Sequence, residues 1–225
     1  MLMKTVAFMP IKLNNERVPG KNLKPMDDGK ILISFMLETL FQVKKDGIVD
    51  DIVVFCSSEK IKEYLPDYVN WVRRPEILDS QKATSNDIIR EFLKVYNADL
   101  YAMCHATSPF IRKEHIEECI NAVKSGKFDS AFSGKKIQNF MWKNNSPLNF
   151  ERSCYPRTQD LEPIYEELPT PYVFSRKVFE ETGGRTGRTP YIAECSNIEA
   201  IDIDNPEDFE LANRIYMSGL YKKDL

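Results

Sequence analysis

Two aspartates near the carboxyl end, in the stretch EAIDIDNPEDFELA, have the spacing of a metal platform. Residues two apart on an extended chain point to one side, so Asp202 and Asp204 project together while Ile201 and Ile203 turn to the core. Mg²⁺ takes one or two carboxylates and completes its shell with phosphate oxygens, which two carboxylates at a strand end would allow. The pair is equally compatible with an edge strand whose polar residues face water. A helix start follows at once: Asn205 is a cap residue, Pro206 suits the first helical position and Asp208 reaches back to the cap. That start accounts for Glu207 and Asp208 without a metal.

The second reactive group lies at the other end of the chain. PIKLNNERVPGKNL, Pro10 to Leu23, follows the apolar run KTVAFM and gathers Lys12, Arg17 and Lys21, with Lys24 just beyond. Positive side chains, backbone N–H groups in a loop kinked at Pro19-Gly20 and a following helix start all favour an anion. Asn15 and Asn22 add neutral polar groups. The loop has neither G-x-G-x-x-G nor G-x-x-x-x-G-K-[ST], so no dinucleotide fingerprint or P-loop is signalled. A solvated loop with idle lysines has the same composition. In the third stretch, CHATSPFIRKEHI, Thr107 and Ser108 read as the close of a strand and Pro109 as a turn. Their hydroxyls suit ligand contact or a helix cap. His105 falls near the same place, as a ligand group or a satisfied structural histidine, and His115 falls on a polar helix face, which reads as surface.

These groups need a scaffold, and the chain is long enough for one: 225 residues support one large domain or two small ones. The hydrophobic fraction of 42% is that of an ordinary globular protein and argues against disorder. No apolar run approaches the roughly 20 residues that span a bilayer, and MLMKTVAFMP turns polar too soon for a signal peptide. A net charge of −3 with no basic bias excludes bulk nucleic-acid binding. Five scattered cysteines without C-x-x-C spacing point to reduced thiols in a cytoplasm.

Short β-branched runs alternate with amphipathic patterns. KTVAFM, DIVVFC, VNWV, LYAMC and FDSAFS read as strands. ILISFMLETLFQVKK places Leu32, Phe35, Met36, Leu40 and Val43 on one helical face. NDIIREFLKVY does so with Ile88, Ile89, Phe92 and Tyr96, and KEHIEECINAVKSG with Ile116, Cys119, Ile120 and Val123, ending at Gly126. SSEKIKEYL reads as a short helix opened by a serine cap. This order, with near-continuously apolar strands, predicts an α/β fold with a mostly parallel sheet covered on both faces. From about residue 136 to 170 the period is lost among Asn, Pro, Arg and aromatics, which predicts a hairpin or arm of functional or subunit-interface character. YVFS, YIAEC and EAIDID then read as strands and PEDFELANRIYMSG as a closing helix. With no repeat, low-complexity tract or linker, residues 1–225 are read as a single domain.

The three reactive stretches, in this order, resemble the cytidylyltransferases that activate sialic acids and related acidic sugars as CMP conjugates. That family's opening, (I/V)-P-A-R-x-G-S-K-x-x-P-x-K-N, is similar to MPIKLNNERVPGKNL. Its RP-x-x-L segment followed by small hydroxyl residues resembles RRPEILDSQKATS, and its Q-P-T-S-P resembles HATSPF. Its (S/A)-I-D-I-D-T-P-E-D-F is very close to EAIDIDNPEDFELA. The similarity covers essentially the whole chain, and the last motif together with P-x-K-N is fairly specific.

The resemblance implies a Rossmann-like three-layer domain, a Mg²⁺-dependent reaction of CTP with an acidic sugar, and a homodimer whose irregular arm reaches the neighbouring subunit. Lys21 and Asn22 match the nucleotide-contacting K-N, Arg74 the arginine of RP, and Ser85 a serine near ribose and base. Lys12, Asn15 and Arg17 join them on the nucleotide side. Asp202 and Asp204 match the metal aspartates, and with Lys21 they are the expected catalytic set. His105 and Thr107 fall on the sugar side. YPRTQDLEPIY resembles the arm of the sugar-acid pocket, where Arg157 and Gln159 are natural partners of carboxylate and hydroxyls. Three positions depart from the family: its arginine is Lys12, its G-S-K is Asn14-Asn15-Glu16, and its glutamine before T-S-P gives way to His105-Ala106. Glu16 thus stands where a lysine meets the triphosphate. Either Arg17 compensates while Glu16 faces solvent or pairs with Lys12, or the chemistry is altered. Two other classes share parts of the pattern: a glycosyltransferase using a nucleotide-sugar donor, whose aspartate pair usually lies mid-chain, and a catalytically silent nucleotide-binding homologue.

Overall fold

The computed structural model describes residues 3–222. The first strand, β1 (Thr5–Ile11), is buried along almost its whole length. Its side chains alternate, Val6 and Phe8 entering one apolar cluster and Ala7, Met9 and Ile11 the other, so β1 lies between two cores. Helix α1 (Leu32–Lys45) buries the expected residues and also Ile33 and Leu37, because it packs on the sheet on one side and on the closing helix on the other.

β2 (Asp51–Cys56) and β3 (Asn70–Arg73) extend the sheet outward from β1. Between them, residues 59–64 form a 3₁₀ helix, and Ser58 makes no side-chain cap, contrary to the sequence reading. α2 (Ser85–Val95) opens on a capping box of Thr84 and Asp87, and its Phe92 stacks on Phe8 at 4.1 Å between ring centroids. β4 (Leu100–Met103) joins the other side of β1 in parallel, and α3 (Lys113–Lys124) follows.

β5 (Ser130–Ile137) enters a long ribbon. The two-residue strands β6 (Trp142–Lys143) and β7 (Ser146–Pro147) lie in the excursion, and β8 (Ile164–Ser175) returns antiparallel to β5 with Ile137 opposite Ile164. The base of the expected arm is therefore regular sheet, and the irregular part is residues 138–163. Gly134 is where this ribbon bends past a neighbour. A Cβ there would stand 2.7 Å from Ile192 Cγ2, closer than packing tolerates.

α4 (Arg176–Thr182), which the sequence pattern did not signal, links β8 to the last strand, β9 (Pro190–Cys195). The strand order is β3-β2-β1-β4-β8-β5-β9, parallel except for β8. EAIDID is not a strand. Beyond β9 the chain turns at Ser196–Ala200 and crosses to the loop after β4, where Ile203 N–H donates to Thr107 O at 2.9 Å. Among the described residues no strand pairs with the segment, so it forms no ladder. α5 (Pro206–Ser218) follows as expected, Asp208 accepting from the N–H groups of Asp204 (3.0 Å) and Asn205 (2.8 Å).

Candidate functional site

The loops after β1, β3 and β4, the start of α2 and the 201–204 segment meet beyond the carboxyl ends of the parallel strands, where α/β sheets bind ligands. They line a cleft of about 420 Å³ that brings together Lys12, Asn15, Arg17, Lys21, Asn22, Arg74, Ser85, His105, Thr107, Asp202 and Asp204. An adjoining cavity of about 360 Å³ shares Lys12, Asn15, Arg17, Lys21 and Asp204 and adds Glu16 and Gln81. A larger cavity, about 530 Å³, lies by α1 and the start of α3 and holds none of the candidate residues.

The opening loop is shaped from within. Gly20 takes φ = 64°, a left-handed backbone that glycine adopts without strain, and the 3₁₀ turn Lys21–Leu23 follows. Asn22 is buried and donates to Lys12 O at 2.9 Å and to Asn15 Oδ1 at 3.4 Å, so its amide holds the loop's curve. Lys21 is buried as well. Its ammonium donates to Ile203 O and lies 3.3 Å from Asp204 Oδ1, tying the first loop to the last segment. Arg17 Nη2 reaches the same Asp204 oxygen at 2.9 Å while most of its side chain stays exposed. Glu16 neither floats free nor pairs with Lys12: its carboxylate accepts from the Gln81 amide across the cleft.

Ser85 is the first residue of α2, so a helix N-terminus with positive partial charge opens on the cleft. Arg74 is almost wholly buried and ion-paired with Asp79, which also accepts from Ser57, while Arg74 Nε has no partner. His105 Nδ1–H donates to Pro169 O at 2.6 Å. Burial, with Arg185 and Lys21 nearby, lowers its pKa to about 4, so the ring is neutral at pH 7 and Nδ1–H is the donor. Thr107 does not close β4, which ends at Met103, and neither it nor Ser108 caps α3, whose cap position is Arg112.

Asp202 and Asp204 are the residues of the cleft that could hold a divalent cation. Asp202 Oδ1 is buried without a hydrogen-bond partner, and burial first, then the Asp204 charge, raises its pKa despite a bond from Thr107. A cation would satisfy that oxygen. Asp204 already draws two cationic side chains to one oxygen.

Arg157 and Gln159 do not reach this cleft. They sit in a 3₁₀ turn of the arm, exposed, with Arg157 Nε paired to Asp160 Oδ2 at 2.7 Å. His115 is not a surface group either: its side chain is 17% exposed and its Nδ1 lies 2.6 Å from the buried carboxylate of Glu199. Gln81 and Pro169 contribute to the site without any motif to announce them, and Gln81 is legible only as part of the run between RP and the α2 cap.

Comparison with known proteins adds an independent line. The sequence model of the family described as Cytidylyltransferase matches residues 6–224. N-acylneuraminate cytidylyltransferase A of Danio rerio is 28% identical over 230 residues, covering 97% of this chain and 52% of that protein. CMP-N,N'-diacetyllegionaminic acid synthase of Legionella pneumophila is 25% identical, covering 95% of this chain and 96% of that one. The chain thus spans about half the length of the first of these relatives. A solved structure of a CMP:2-keto-3-deoxy-manno-octonic acid synthetase with CTP aligns with a TM-score of 0.69 at 16% identity, covering 96% of this chain and 99% of that one.

Proposed function

The chain belongs to the cytidylyltransferase family, and from that footing we propose that it transfers CMP from CTP to the hydroxyl of a sialic-acid-like 3-deoxy-2-ulosonic acid. The observation that carries the reading is the cleft: eleven candidate residues from four separate stretches line one cavity. The names of the relatives, an N-acylneuraminate cytidylyltransferase and a CMP-N,N'-diacetyllegionaminic acid synthase, support the acceptor class.

The sugar hydroxyl oxygen attacks the α-phosphorus of CTP in line and gives up its proton to water, a P–O bond forms, the bond to the β-phosphate oxygen breaks, and pyrophosphate leaves with the developing charge. Catalysis of such a transfer is mostly positioning and charge neutralisation. Lys12, Arg17 and Lys21 supply positive charge for the triphosphate, and the α2 N-terminus at Ser85 adds N–H donors. Asn22 keeps the loop curved around it. His105 and Thr107 line the acceptor side. Asp202 and Asp204 would hold Mg²⁺, which when bound neutralises charge on the reacting phosphate oxygens.

Arg157 and Gln159 belong to the same proposal as groups that a homodimer delivers to the neighbour's sugar site. The arm supports this: Phe140, Phe150 and Tyr155 pack on one another, yet Trp142, Leu148 and Tyr155 are each more than half exposed. A single domain in the cytoplasm completes the proposal. The five cysteines are free thiols, four of them buried, and among the described residues no helix is long and apolar enough to cross a membrane.

The test is pyrophosphate release from CTP with a panel of sialic, legionaminic, pseudaminic and 3-deoxy-manno-octulosonic acids. Release with one or more acids supports the reading. CTP binding without turnover on any acid would indicate a silent homologue, and consumption of a nucleotide-sugar donor a glycosyltransferase, which the family match does not favour.

A further inference from the structure

The 201–204 segment carries the two most consequential carboxylates on a stretch with no strand ladder. A metal constellation has to be held to about half an ångström to work, so something other than sheet must hold it. Ahead of the segment stands the Asp208 cap on the Asp204 and Asn205 N–H groups. In the middle are single bonds, Ile203 N–H to Thr107 O and the Lys21 ammonium to Ile203 O.

Behind it, three residues before Asp202, stands Glu199, whose side chain is 2% exposed. Its Oε1 accepts from Arg112 N–H at 3.1 Å and lies 2.6 Å from His115 Nδ1. Its Oε2 accepts from Ser196 N–H at 3.1 Å and Ser196 Oγ at 3.0 Å, with Arg112 Nε at 3.6 Å. Arg112 and His115 belong to the N-terminal turn of α3, whose dipole favours a carboxylate there. One buried anion, 84 residues from His115 in sequence, thus bolts the turn leading into the aspartates to the rigid body of α3.

We propose that Glu199 and His115 form a positioning pair that sets the placement of Asp202 and Asp204 for the divalent cation without touching substrate. The proposal rests on the reading of those aspartates as metal carboxylates. The shift of both members supports it. Hydrogen bonding to Glu199 raises the His115 pKa. Burial opposes ionisation of Glu199, but His115, Ser196 and Arg112 outweigh it and hold its pKa at about 2. The bond is therefore an ionic one over a broad range of mild acidity. Cys195 Sγ also lies close, within 4.8 Å of the His115 and Glu199 ligand atoms. A metal ion among the three is disfavoured because four donors already occupy the carboxylate, about as many as it accepts.

The test is Mn²⁺ binding in the presence of saturating CTP, read by water-proton relaxation with no sugar acid present. Glu199→Gln and His115→Leu are expected to weaken Mn²⁺ binding about tenfold, the low end of what is lost when a group that orients a metal ligand is removed, while metal-free CTP binding stays unchanged and reports an intact fold. His115→Asn, whose side-chain N–H stands where Nδ1–H does, is expected to stay close to wild type. If Glu199→Gln and His115→Leu bind Mn²⁺ like wild type while Asp202→Asn does not, the positioning role is overturned and the metal reading stands. If Asp202→Asn also binds like wild type, the metal reading itself falls. Should Glu199→Gln fail to fold, the contrast between His115→Leu and His115→Asn decides. Zinc that copurifies with wild type and is lost in His115→Leu would overturn the proposal in favour of a structural metal centre.

Discussion

Asp204 stands at the meeting point of charges that the sequence places nearly two hundred residues apart. Replacing it with Asn removes a carboxylate that would hold the cation, a loss of several kcal/mol of charge stabilisation. Turnover should fall by about a hundredfold or more, with Asp202→Asn less severe and thermal melting close to wild type for both. Rate against Mg²⁺ concentration, with melting measured alongside, checks this; near-normal turnover in both variants would remove the pair from the mechanism. In the opening loop, Glu16 is turned to Gln81 and Arg17 to the cleft. Arg17→Ala should therefore raise KM for CTP more than Glu16→Ala does. Lys21→Ala should be the most damaging, because the same ammonium also ties down Ile203. Steady-state kinetics of the three variants gives the order, and a many-fold gain in CTP turnover for Glu16→Lys would show that the loop is not compensated.

At the scale of elements, the joint between α3 and the β9–α5 connection is ionic and so depends on pH. The Glu199 pKa is depressed from its ordinary 4.5, so its contribution is fully present above that value and is lost as pH falls toward about 2. The His115 pKa is raised from 6.5, so its contribution is present below 6.5 and is lost as pH rises through the raised value. Glu118, whose charge favours the imidazolium, and Arg112, which opposes it, face the same ring. The stability gap between wild type and His115→Asn should be largest between pH 4.5 and 6.5 and shrink in alkali. Melting temperatures of both proteins across pH 4 to 9 would show it, and a gap that is flat with pH would mean the pair is not ionic. At Gly20, alanine would be forced into the left-handed region at a cost of about 1–2 kcal/mol. Gly20→Ala should lower the melting temperature and weaken CTP binding together, since Lys21 and Asn22 follow directly.

For the whole molecule, the proposed homodimer draws on the exposed Trp142 and Tyr155 of the arm and on Arg157 lying outside the lining of its own chain's cleft. Light scattering should find a dimer at working concentration, and an active monomer would contradict it. Complementation is the sharper check. Arg157→Ala and Asp204→Asn proteins, each deficient alone, should regain activity when unfolded and refolded together, because a mixed dimer pairs one intact arm with one intact aspartate site. Activity that stays at the level of the separate variants would place Arg157 outside the neighbour's site.

Much of this was legible in the residues because it is local. Periodicity alone marks α1, α2 and α3, apolar runs mark β1, β2 and β4, and Asn205-Pro206 with Asp208 marks the start of α5. The loops that hold Lys21, Thr107 and Asp204 are ordinary breaks in those patterns, and parallel strands bring their carboxyl ends to one side of the sheet. What was not legible depends on partners distant in sequence. The apolar run in EAIDID has the composition of a strand, yet a strand exists only if a neighbour offers its N–H and C=O groups, and among the described residues Thr107 alone does so from a distant loop. Likewise only YVFS, the end of β8, has a strand's pattern, and that pattern is the same whichever way it runs; the insertion of β8 between β4 and β5, antiparallel to both, is a choice of neighbours. His115 has the spacing of a surface residue, and only the fold brings a buried carboxylate against it, because a charge 84 positions away leaves no trace in the local period.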